Sequence, residues 1–282
     1  MLSVIHQPQV LSATLQDLRQ QGAKIGFVPT MGALHDGHVS LVEQSWQNND
    51  ITVCSIYVNP TQFNNSDDFL KYPKTIETDT EMLQAAGCDF LFLPSDAEMY
   101  AAGSPRLSFR FGALEEVMEG SFRPGHFTGV GIIVSKLFNI VQPDVAYFGL
   151  KDLQQYLIVK QLVADLSVPV KIVGCPIIRE EDGLAMSSRN KRLSEKQRAV
   201  APLLQQALLW AQSQLTNLSI GEIKNGVAQM LAKEPQFKLE YFEIANGISL
   251  ESLNKYEANT PTALCIAAFL GDVRLIDNIL ID

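Results

Sequence analysis

The sequence predicts an α/β fold, an open and doubly wound parallel sheet followed by a smaller C-terminal α+β domain, and three observations predict it. Strand-like and helix-like segments alternate as far as residue 175. The run 51–58 is almost continuously apolar, as in a strand that a parallel sheet buries on both faces. After Gly183 the pattern changes to two helices followed by three strands. We therefore predict a Rossmann-like domain over residues 1–183 and a smaller α+β domain over residues 184–282.

The elements of the first domain follow from apolar spacing and from turn residues. Leu11, Leu15 and Leu18 share one face of a helix over 10–21, which Gly22 ends. The later helices, assigned in the same way, are 39–48, 75–86, 130–141 and 153–163. Apolar runs of strand length lie at 24–28, 51–58, 89–93, 144–148 and 170–173. Residues 106–111 alternate in polarity, which predicts a further short strand.

The second domain is predicted to begin with helices. A long helix over 194–215 has Ser194 as its cap, and a second helix covers 220–233. The three strands are predicted at 239–244, 262–269 and 272–278. Helices followed by strands, rather than alternating with them, indicate an α+β arrangement.

Composition limits the class of function. The chain has 282 residues, of which 46% are apolar and 19% charged, so a substantial core can form. The net charge of −9 argues against a general nucleic-acid surface, which needs a basic patch. No apolar run approaches the ~20 residues of a membrane span, and residues 1–8 lack a signal-peptide pattern. We therefore expect a cytoplasmic protein with neither a nucleic-acid nor a membrane partner.

The chain has four cysteines, in or beside apolar runs and without close pairing, namely Cys54, Cys88, Cys175 and Cys265. Buried free thiols in a reducing compartment are the simplest interpretation. Their spacing does not fit a structural zinc site of thiolates.

The first predicted strand leads into a glycine-containing turn and then into His35-Asp-Gly-His38, where a helix begins. A strand that leads into a helix N-terminus suits phosphate, because backbone N–H groups and the helix dipole point outward there. The spacing puts the rings of His35 and His38 on one side, where they can neutralise charge on a departing pyrophosphate. The pair is also compatible with a surface accident or with half of a metal site. A second phosphate-binding loop downstream is needed to support the nucleotide interpretation.

Such a loop is present at the predicted domain junction. Met186-Ser-Ser-Arg189 is short and polar, and its hydroxyls and guanidinium suit triphosphate oxygens. His35, Gln62 and Lys151 each follow a predicted strand end, so we expect them to converge, although Lys151 alone also fits a solvated loop lysine. The sequence has no Gly-x-Gly-x-x-Gly after a strand and no Walker loop, so neither dinucleotide binding nor P-loop phosphoryl transfer is indicated.

The Gly- and Pro-rich segment 119–127 has no clear periodicity. It contains Arg123 and His126 and fits either a lid over a site or an ordinary surface turn. The residues alone leave both roles open.

Six motifs stand in one order along the chain: Pro29-Thr-Met-Gly-x-Leu-His-x-Gly-His38, Val58-Asn-Pro-Thr-Gln-Phe63, Arg123-Pro-Gly-His-Phe127, Phe148-Gly-x-Lys-Asp152 with Gln154-Gln155, Met186-Ser-Ser-Arg189, and Gly271-Asp-x-Arg-Leu-Ile-Asp-Asn278. Together they resemble the pantoate–β-alanine ligase (pantothenate synthetase) family over essentially the whole chain. The first and fifth resemble the two signatures of the HIGH/KMSKS nucleotidyltransferase superfamily, which includes class I aminoacyl-tRNA synthetases.

The resemblance implies a reaction and its partners. ATP and pantoate give a pantoyl adenylate and pyrophosphate, and β-alanine then attacks the acyl carbon to give pantothenate and AMP. Mg²⁺ is implied as the companion of ATP, with Asp79 as a candidate ligand and no ligand set assigned. A homodimer is implied as well.

The resemblance also implies residue roles. His38 is the catalytic proton donor, while His35 and Lys151 assist at the phosphates. Gln62 and Gln155 bind pantoate, and Gln62 also lies near β-alanine. The implied ATP-binding residues are Met31, Gly32, Ala33, Leu34, His35, Asp36, Gly37, His38, Gly149, Leu150, Lys151, Asp152, Ile178, Met186, Ser187, Ser188 and Arg189. Leu150 departs from the family, which often has Glu there, so only a backbone contact would survive at that position.

Three other functions remain open at this point. An adenylyltransferase that leaves AMP on a phosphate acceptor would share the histidine motif, but Gln62 and Gln155 fit a polyol acid better than a phosphate. A tRNA-charging enzyme is disfavoured by the acidity of the chain and by the lack of a basic appended domain. A nucleotide-binding regulator would keep the ATP loops, would not need the two glutamines, and would bind ATP without making AMP.

Overall fold

The computed structural model describes residues 2–63, 69–70 and 72–281. Its chain divides into two compact units, each built from several segments. The first unit contains Met1–Phe111, Arg123–Leu150 and Gln155–Pro176, and the second contains Gly112–Phe122, Lys151–Gln154 and Ile177–Asp282. The predicted boundary between residues 183 and 184 stays a prediction, because a compact unit is not by itself a domain that folds alone.

The first unit is organised around a parallel sheet, as predicted. Its strands within the described residues are β1 (Ser3–Ile5), β2 (Ile25–Thr30), β3 (Ile51–Ile56), β4 (Phe90–Phe92), β5 (Val145–Gly149) and β6 (Lys171–Cys175). Their spatial order is β1-β4-β3-β2-β5-β6, and every neighbouring pair is parallel. From β2 the chain adds β3 and β4 on one side of that strand, and it then crosses back to add β5 and β6 on the other side. The carboxyl ends of β2 and β5 are the topological switch point, where ligands bind in open α/β sheets.

The helices of the described residues connect these strands and cover the sheets. They are α1 (Pro8–Gln20), α2 (Asp36–Asn48), α3 (Ile76–Ala85), α4 (Asp96–Met99), α5 (Met118–Phe122), α6 (His126–Val141), α7 (Leu153–Asp165), α8 (Glu195–Val200), α9 (Leu203–Gln214) and α10 (Ile220–Ala232). Leu11 and Leu15 of α1 are fully buried, as their spacing predicts. Phe27 and Val28 of β2 are both fully buried although adjacent residues face opposite sides, so helices cover both faces of the sheet.

The second unit contains an antiparallel sheet of β7 (Phe237–Asn246), β8 (Thr262–Leu270) and β9 (Val273–Ile281), in that order. The first two strands include the predicted segments 239–244 and 262–269, and β9 begins one residue after the start of the predicted segment 272–278. Leu204 and Leu208 of α9 and Ile223 of α10 are buried in one apolar cluster with Ile244 and Ile266 of the sheet. Helices packed on one antiparallel sheet give the predicted α+β arrangement.

Three individual elements differ from the prediction. Ser3–Ile5 pairs with β4 as an edge strand that was not predicted, because three residues are too short to show a periodicity. Residues 106–111 form no strand, and the rings of Phe109 and Phe111 stack at 6.0 Å instead. The predicted helix 194–215 is two helices, since Pro202 has no N–H to continue the ladder.

All four cysteines are free and buried, which confirms the prediction of buried thiols. Across the described residues, the structure has no helix with the length and apolar character that crossing a membrane requires.

Candidate active site

The switch point of the sheet places two of the predicted segments side by side in the first unit. Phe27 of β2 pairs with Ala146 of β5 in parallel register, so the two strands end at the same edge. β2 leads directly into residues 31–38, and β5 leads into Gly149 and Leu150. The sequence motif and the expected binding edge therefore coincide.

The loop after β2 is held in an unusual backbone conformation. Gly32 has φ +79°, and a Cβ at this position would lie 2.9 Å from Cγ2 of Ile56, so only glycine fits. Ala33 has φ +50°, which is unfavourable for a residue with a side chain. The loop thus needs an external partner to hold it.

Asp79 of α3 is that partner. Its Oδ2 accepts a hydrogen bond from the backbone N–H of Ala33 at 2.9 Å, and its Oδ1 accepts from Leu34 at 2.8 Å and from the Thr75 hydroxyl at 3.0 Å. The Asp79 residue is only 1% exposed. Both oxygens are committed to the protein, so the structure argues against the expectation that Asp79 binds Mg²⁺ and assigns it to the loop.

The two histidines are brought together at the N-terminus of α2, as predicted. His35 is the N-cap, and its Nδ1 accepts a hydrogen bond from the backbone N–H of Gly37 at 3.2 Å. In the neutral ring the proton therefore lies on Nε2, which is the donor atom of this ring. The ring centroids of His35 and His38 are 4.1 Å apart, and both residues are half-buried. Two imidazoles at a helix N-terminus are chemically suited to anionic oxygens.

Gln62 lies next to this loop in the same unit. Its Nε2 donates to Sδ of Met31 at 2.9 Å, and its Oε1 accepts from Nδ2 of Asn59 at 3.3 Å. Asn59 is 1% exposed and donates in turn to the carbonyl of Gly129 at 3.2 Å. The amide of Gln62 is therefore fixed in one orientation beside the turn that leads to His35.

His126 supports the backbone of the same residue. Its Nδ1 lies 2.8 Å from the carbonyl oxygen of Gln62, and His126 is only 6% exposed. A carbonyl can only accept, so Nδ1 carries the proton. His126 is thus a buried support at the start of α6 rather than a residue of a surface turn, and sequence patterning gave no sign of this role.

The other end of the segment 119–127 is anchored in the second unit. The carboxylate of Glu119 accepts from Arg274 at 2.7 and 2.8 Å and from the hydroxyl of Tyr241 at 2.9 Å. Burial raises the pKa of Tyr241 and the Glu119 carboxylate raises it further, so the phenol stays protonated and donates. Glu119 is 8% exposed, which a loose surface turn would not require.

The two neighbouring glutamines of the fourth motif have different surroundings. Gln154 is 5% exposed, donates to the carbonyls of Leu114 and Val117 at 2.6 and 2.9 Å, and accepts from the N–H of Glu119 at 3.0 Å. Gln155 is half-buried, and its side chain forms no hydrogen bond within the described residues. Gln154 is therefore structural, whereas the amide of Gln155 is available to a ligand.

Leu150 is the position that departs from the family pattern. A Cβ on Gly174 of β6 would lie 2.7 Å from Cδ2 of Leu150, so the leucine side chain occupies the space above that glycine. A packed apolar side chain offers a nucleotide no polar group, and the expected backbone contact of Leu150 with ATP stays a prediction.

In the second unit, a short hairpin brings Ile178 next to Met186. The backbone N–H of Met186 donates to the carbonyl of Ile178 at 3.0 Å, and Arg179 pairs with Ala185 as an antiparallel bridge. Ser187 caps the 3-10 turn that follows, since its side chain accepts from the N–H of Arg189 at 3.3 Å. The residues that the sequence proposed for the adenine region and for the triphosphate are thus adjacent in the fold.

Lys151 lies in the second unit as well. Its carbonyl accepts a hydrogen bond from Nδ2 of Asn278 at 2.9 Å, while Nζ lies 4.0 Å from Oδ1 of Asp152. The side chain of Lys151 is 18% exposed. The expected convergence of Lys151 with His35 and Gln62 stays a prediction.

No group of three or more His, Cys, Asp or Glu side chains in the described ranges is arranged to hold a metal ion. Asp79 was the candidate ligand, and its oxygens are already used.

Comparison with known proteins gives one family. A family model described as pantoate-beta-alanine ligase matches residues 3–280. The chain is 49% identical over 278 residues to a pantothenate synthetase of Bacteroides thetaiotaomicron, covering 99% of this chain and 98% of the relative. It is 45% identical over 281 residues to the pantothenate synthetase of Caldicellulosiruptor bescii, covering 99% of each.

Solved structures agree with the sequence relatives. The fold is similar to a pantoate-beta-alanine ligase (pantothenate synthetase) structure from Thermus thermophilus, with a TM-score of 0.91, 41% identity and 99% of each chain covered. It is also similar to a pantoate-beta-alanine ligase from Francisella tularensis, with a TM-score of 0.83, 35% identity and coverage of 99% and 98%. That structure is described as a complex with beta-gamma ATP and beta-alanine.

Proposed function

The chain belongs to the pantoate–β-alanine ligase family, and from this premise we propose that it forms pantothenate through a pantoyl adenylate. A carboxylate oxygen of pantoate attacks the α-phosphorus of ATP, and the bond to the departing pyrophosphate breaks. The amine of β-alanine then attacks the acyl carbon, loses a proton and displaces AMP. Adenylation is needed because a carboxylate is a poor electrophile, whereas the mixed anhydride carries a good leaving group.

The observation that carries the proposal is the contact between Gln62 and Met31. It places a fixed, uncharged amide beside the loop that ends in the two imidazoles of His35 and His38. An amide can bond both the hydroxyls and the carboxylate of pantoate without adding charge. The proposed polyol-acid site would therefore adjoin the proposed phosphate site within one unit, which a regulator that only binds nucleotide would not need.

ATP is assigned to the residues that the motifs implied. In the first unit these are Met31–His38, Gly149 and Leu150, and in the second they are Lys151, Asp152, Ile178 and Met186–Arg189. Ile178 and Leu150 would bind through backbone atoms. Gln62 and Gln155 would bind pantoate, and Gln62 would also lie near β-alanine. The Francisella tularensis complex with beta-gamma ATP and beta-alanine supports the same two substrates for this chain.

The chemical work is the stabilisation of negative charge. As the bond to pyrophosphate breaks, charge grows on the β- and γ-phosphates, and preformed donors that meet this charge lower the barrier. His38 would donate a proton or hydrogen bond to the leaving group, and His35, with its Nδ1 already accepting from Gly37, would donate through Nε2. Lys151, Ser187, Ser188 and Arg189 are further donors for the same oxygens.

We assign Mg²⁺ to the substrate. This ion favours phosphate oxygens and water together with one or two carboxylates. The oxygens of Asp79 already accept hydrogen bonds from the loop, and no group of three or more possible ligands occurs among the described residues, so the phosphates of ATP would supply its main ligands. MgATP would thus be the bound species.

The test is AMP formation from ATP, Mg²⁺ and pantoate, with and without β-alanine. We expect steady AMP only when all four are present, and about one pyrophosphate per site in a single turnover without β-alanine. Pantoate labelled with ¹⁸O in its carboxylate should give AMP that carries one ¹⁸O. Release of ADP together with inorganic phosphate that carries the ¹⁸O label would contradict a pantoyl adenylate intermediate.

Two other results would favour other functions. ATP binding without AMP under any combination would indicate a regulator. Transfer of AMP to a phosphate acceptor, with β-alanine unused, would indicate an adenylyltransferase.

We also propose a homodimer in the cytoplasm, on the resemblance to the family. Light scattering after gel filtration tests the dimer: a mass of twice 31.2 kDa is expected, and a monomer mass contradicts it. Cell fractionation tests the location.

A further inference from the structure

We propose that Asp277 and Asn278 are positioning residues for ATP, and that they fix two proposed nucleotide-binding segments of the second unit to the middle of one strand, β9. The inference rests on the proposed function, because that function assigns Lys151, Ile178 and Met186–Arg189 to ATP. Neither Asp277 nor Asn278 needs to touch the nucleotide.

Asn278 holds the first segment. Its Nδ2 donates to the carbonyl oxygen of Lys151 at 2.9 Å, and Asn278 is only 4% exposed. Lys151 lies in a 3-10 turn of three residues, Leu150–Asp152, which connects the end of β5 to the start of α7. The bond ties this turn to a strand that pairs over its whole length with β8.

Asp277 holds the second segment. Its two oxygens accept a bidentate pair of hydrogen bonds from Arg179 at 2.7 and 2.9 Å. Nη1 of Arg179 also donates to the carbonyl of Gly183 at 3.0 Å, across the hairpin that carries Ile178 and Met186. The guanidinium therefore closes the hairpin and fastens it to β9 at the same time.

The two anchors are coupled to each other. The backbone N–H of Asn278 donates to Oδ1 of Asp277 at 2.8 Å. Adjacent residues of a strand point to opposite faces, so the middle of β9 reaches Lys151 on one side and Arg179 on the other. A shift of β9 would move both segments together.

The chemistry of the pair favours positioning over stability. The side chain of Asp277 is 2% exposed, and a buried ion pair is often no more stabilising than an apolar pair of similar volume. What a bidentate pair does supply is a single geometry, since both N–H groups must meet both oxygens. Placement of proposed triphosphate and adenine contacts requires such a geometry.

The experiment compares Asp277→Asn and Asn278→Ala with the control Glu243→Gln. Glu243 lies on β7 of the same sheet and accepts two bonds from Lys224 at 2.6 and 2.8 Å, and it has no hydrogen bond to the hairpin or to Lys151 among the described residues. The control thus removes a paired carboxylate without touching the proposed ATP segments. The melting temperature, kcat, the KM of each substrate and the Kd of ATP from calorimetry are measured for each variant.

We expect the KM and Kd of ATP to rise about tenfold in Asp277→Asn and Asn278→Ala, as for the loss of a charge-assisted or buried hydrogen bond. The KM of β-alanine should stay within twofold, and Glu243→Gln should leave all KM values unchanged at a comparable loss of melting temperature. An ATP Kd within twofold of the wild type in both variants overturns the inference. So does an equal rise in Glu243→Gln.

Two precautions keep the outcomes separate. If Asp277→Asn does not fold, Arg179→Lys, which keeps the charge but loses the bidentate fork, is measured in its place with the same expectation. If the wild type binds ATP but makes no AMP, the proposed function fails, and the ATP Kd of the variants still decides the positioning role.

Discussion

Oδ2 of Asp79 accepts a hydrogen bond from the backbone N–H of Ala33 at 2.9 Å, across 46 positions of the sequence. Ala33 has φ +50°, a conformation that costs about 1–2 kcal/mol for a residue with a side chain. The carboxylate offsets this cost, and a second bond to Leu34 extends the support to the residue before His35. The placement of the histidines therefore depends on a side chain from another helix.

Asp79→Asn tests that dependence. An amide offers one acceptor oxygen and directs an NH₂ group at the second backbone N–H, so one buried donor loses its partner. We expect a loss of about 1–3 kcal/mol in the free energy of unfolding. We also expect kcat/KM to fall more than stability alone explains, measured at a temperature where the variant is fully folded.

The control is Asp89→Asn. Oδ2 of Asp89 accepts from the backbone N–H of Thr52 at 2.8 Å, at the end of the sheet away from the loop. This variant should lose stability and keep kcat/KM. Equal losses of kcat/KM in the two variants would show that Asp79 has no special relation to the site.

His38→Ala should cripple the first chemical step while substrate binding largely survives. The imidazole acts on charge that exists only as pyrophosphate leaves, so its loss lowers kcat by about 10²–10³-fold. Pyrophosphate release in a single turnover measures this step, and calorimetry measures ATP and pantoate binding. His6→Ala is the control, because His6 is exposed and its Nδ1 bonds the Leu93 carbonyl at 2.7 Å. Pyrophosphate release at the wild-type rate from His38→Ala would remove the assigned role.

The local parts of this site follow from the sequence, while its supports do not. The strand before the loop, the glycine-containing turn and the start of a helix at the motif 35–38 are decided by neighbours within a few residues. Apolar runs and turn chemistry therefore predict them, although β2 extends two residues beyond the predicted strand 24–28. Asp79 and His126 act across 46 and 64 positions, and no spacing rule links them to Ala33 or Gln62.

Contacts between residues that are distant in the sequence also explain the wrong strand prediction and the roles that the sequence did not predict. Residues 106–111 alternate in polarity, but a strand also needs a neighbouring strand to pair with its backbone groups. The hydroxyl of Thr128 donates to the Phe109 carbonyl at 2.9 Å instead.

Asp277 and Asn278 belong to one of the motifs that carry the family resemblance. Their proposed role depends on contacts with Arg179 and Lys151 that only the fold provides.

His126→Ala should weaken pantoate binding through Gln62. The variant removes the N–H that the Gln62 carbonyl accepts at 2.8 Å, and the turn that carries the amide can then shift. We expect the KM of pantoate to rise about tenfold, the cost of one buried hydrogen bond, with the KM of ATP unchanged. His126→Asn keeps a donor near the Nδ1 position and should recover most of the affinity. A pantoate KM in His126→Ala equal to that of the wild type contradicts the support.

The buried thiols should be inert in the folded protein. Burial raises the pKa of Cys88 to about 12 and that of Cys175 to about 11. The thiolate is the reactive species, so at pH 8 its population for Cys88 is about 10⁻⁴, against about 0.2 for a free thiol. Iodoacetamide at pH 8 should therefore label four cysteines in guanidinium and essentially none in the native protein, as counted by mass spectrometry. Rapid labelling of Cys88 under native conditions would contradict this.

The same shift has a consequence for stability at high pH. A thiol whose folded pKa is raised keeps its proton in the fold, while the unfolded chain loses it above about pH 8.5. Stability is then complete below that pH and falls as the pH rises toward the folded pKa of about 12 for Cys88. Cys88→Ser removes the titrating thiol and should reduce the alkaline slope of the melting temperature.

Two helical glycines give a matched test of how tightly α6 approaches the Gln62 turn. A Cβ at Gly129 would lie 2.4 Å from the carbonyl oxygen of Thr61 and 2.7 Å from Cα of Gln62, both of which are backbone atoms. Gly129→Ala must therefore displace the turn or the helix, at a cost of about 1–3 kcal/mol. Because the turn carries Gln62, the residue proposed to bind pantoate, the KM of pantoate should rise as well.

Gly221→Ala is the opposite case. Nothing lies within 4 Å of a Cβ at Gly221, near the start of α10, so alanine should only improve helix propensity and stabilise by about 0.5–1 kcal/mol. Chemical denaturation of both variants gives the sign of each effect, and steady-state kinetics gives the KM of pantoate. If Gly129→Ala is stabilised as much as Gly221→Ala and keeps its pantoate KM, α6 does not hold the Gln62 turn in place.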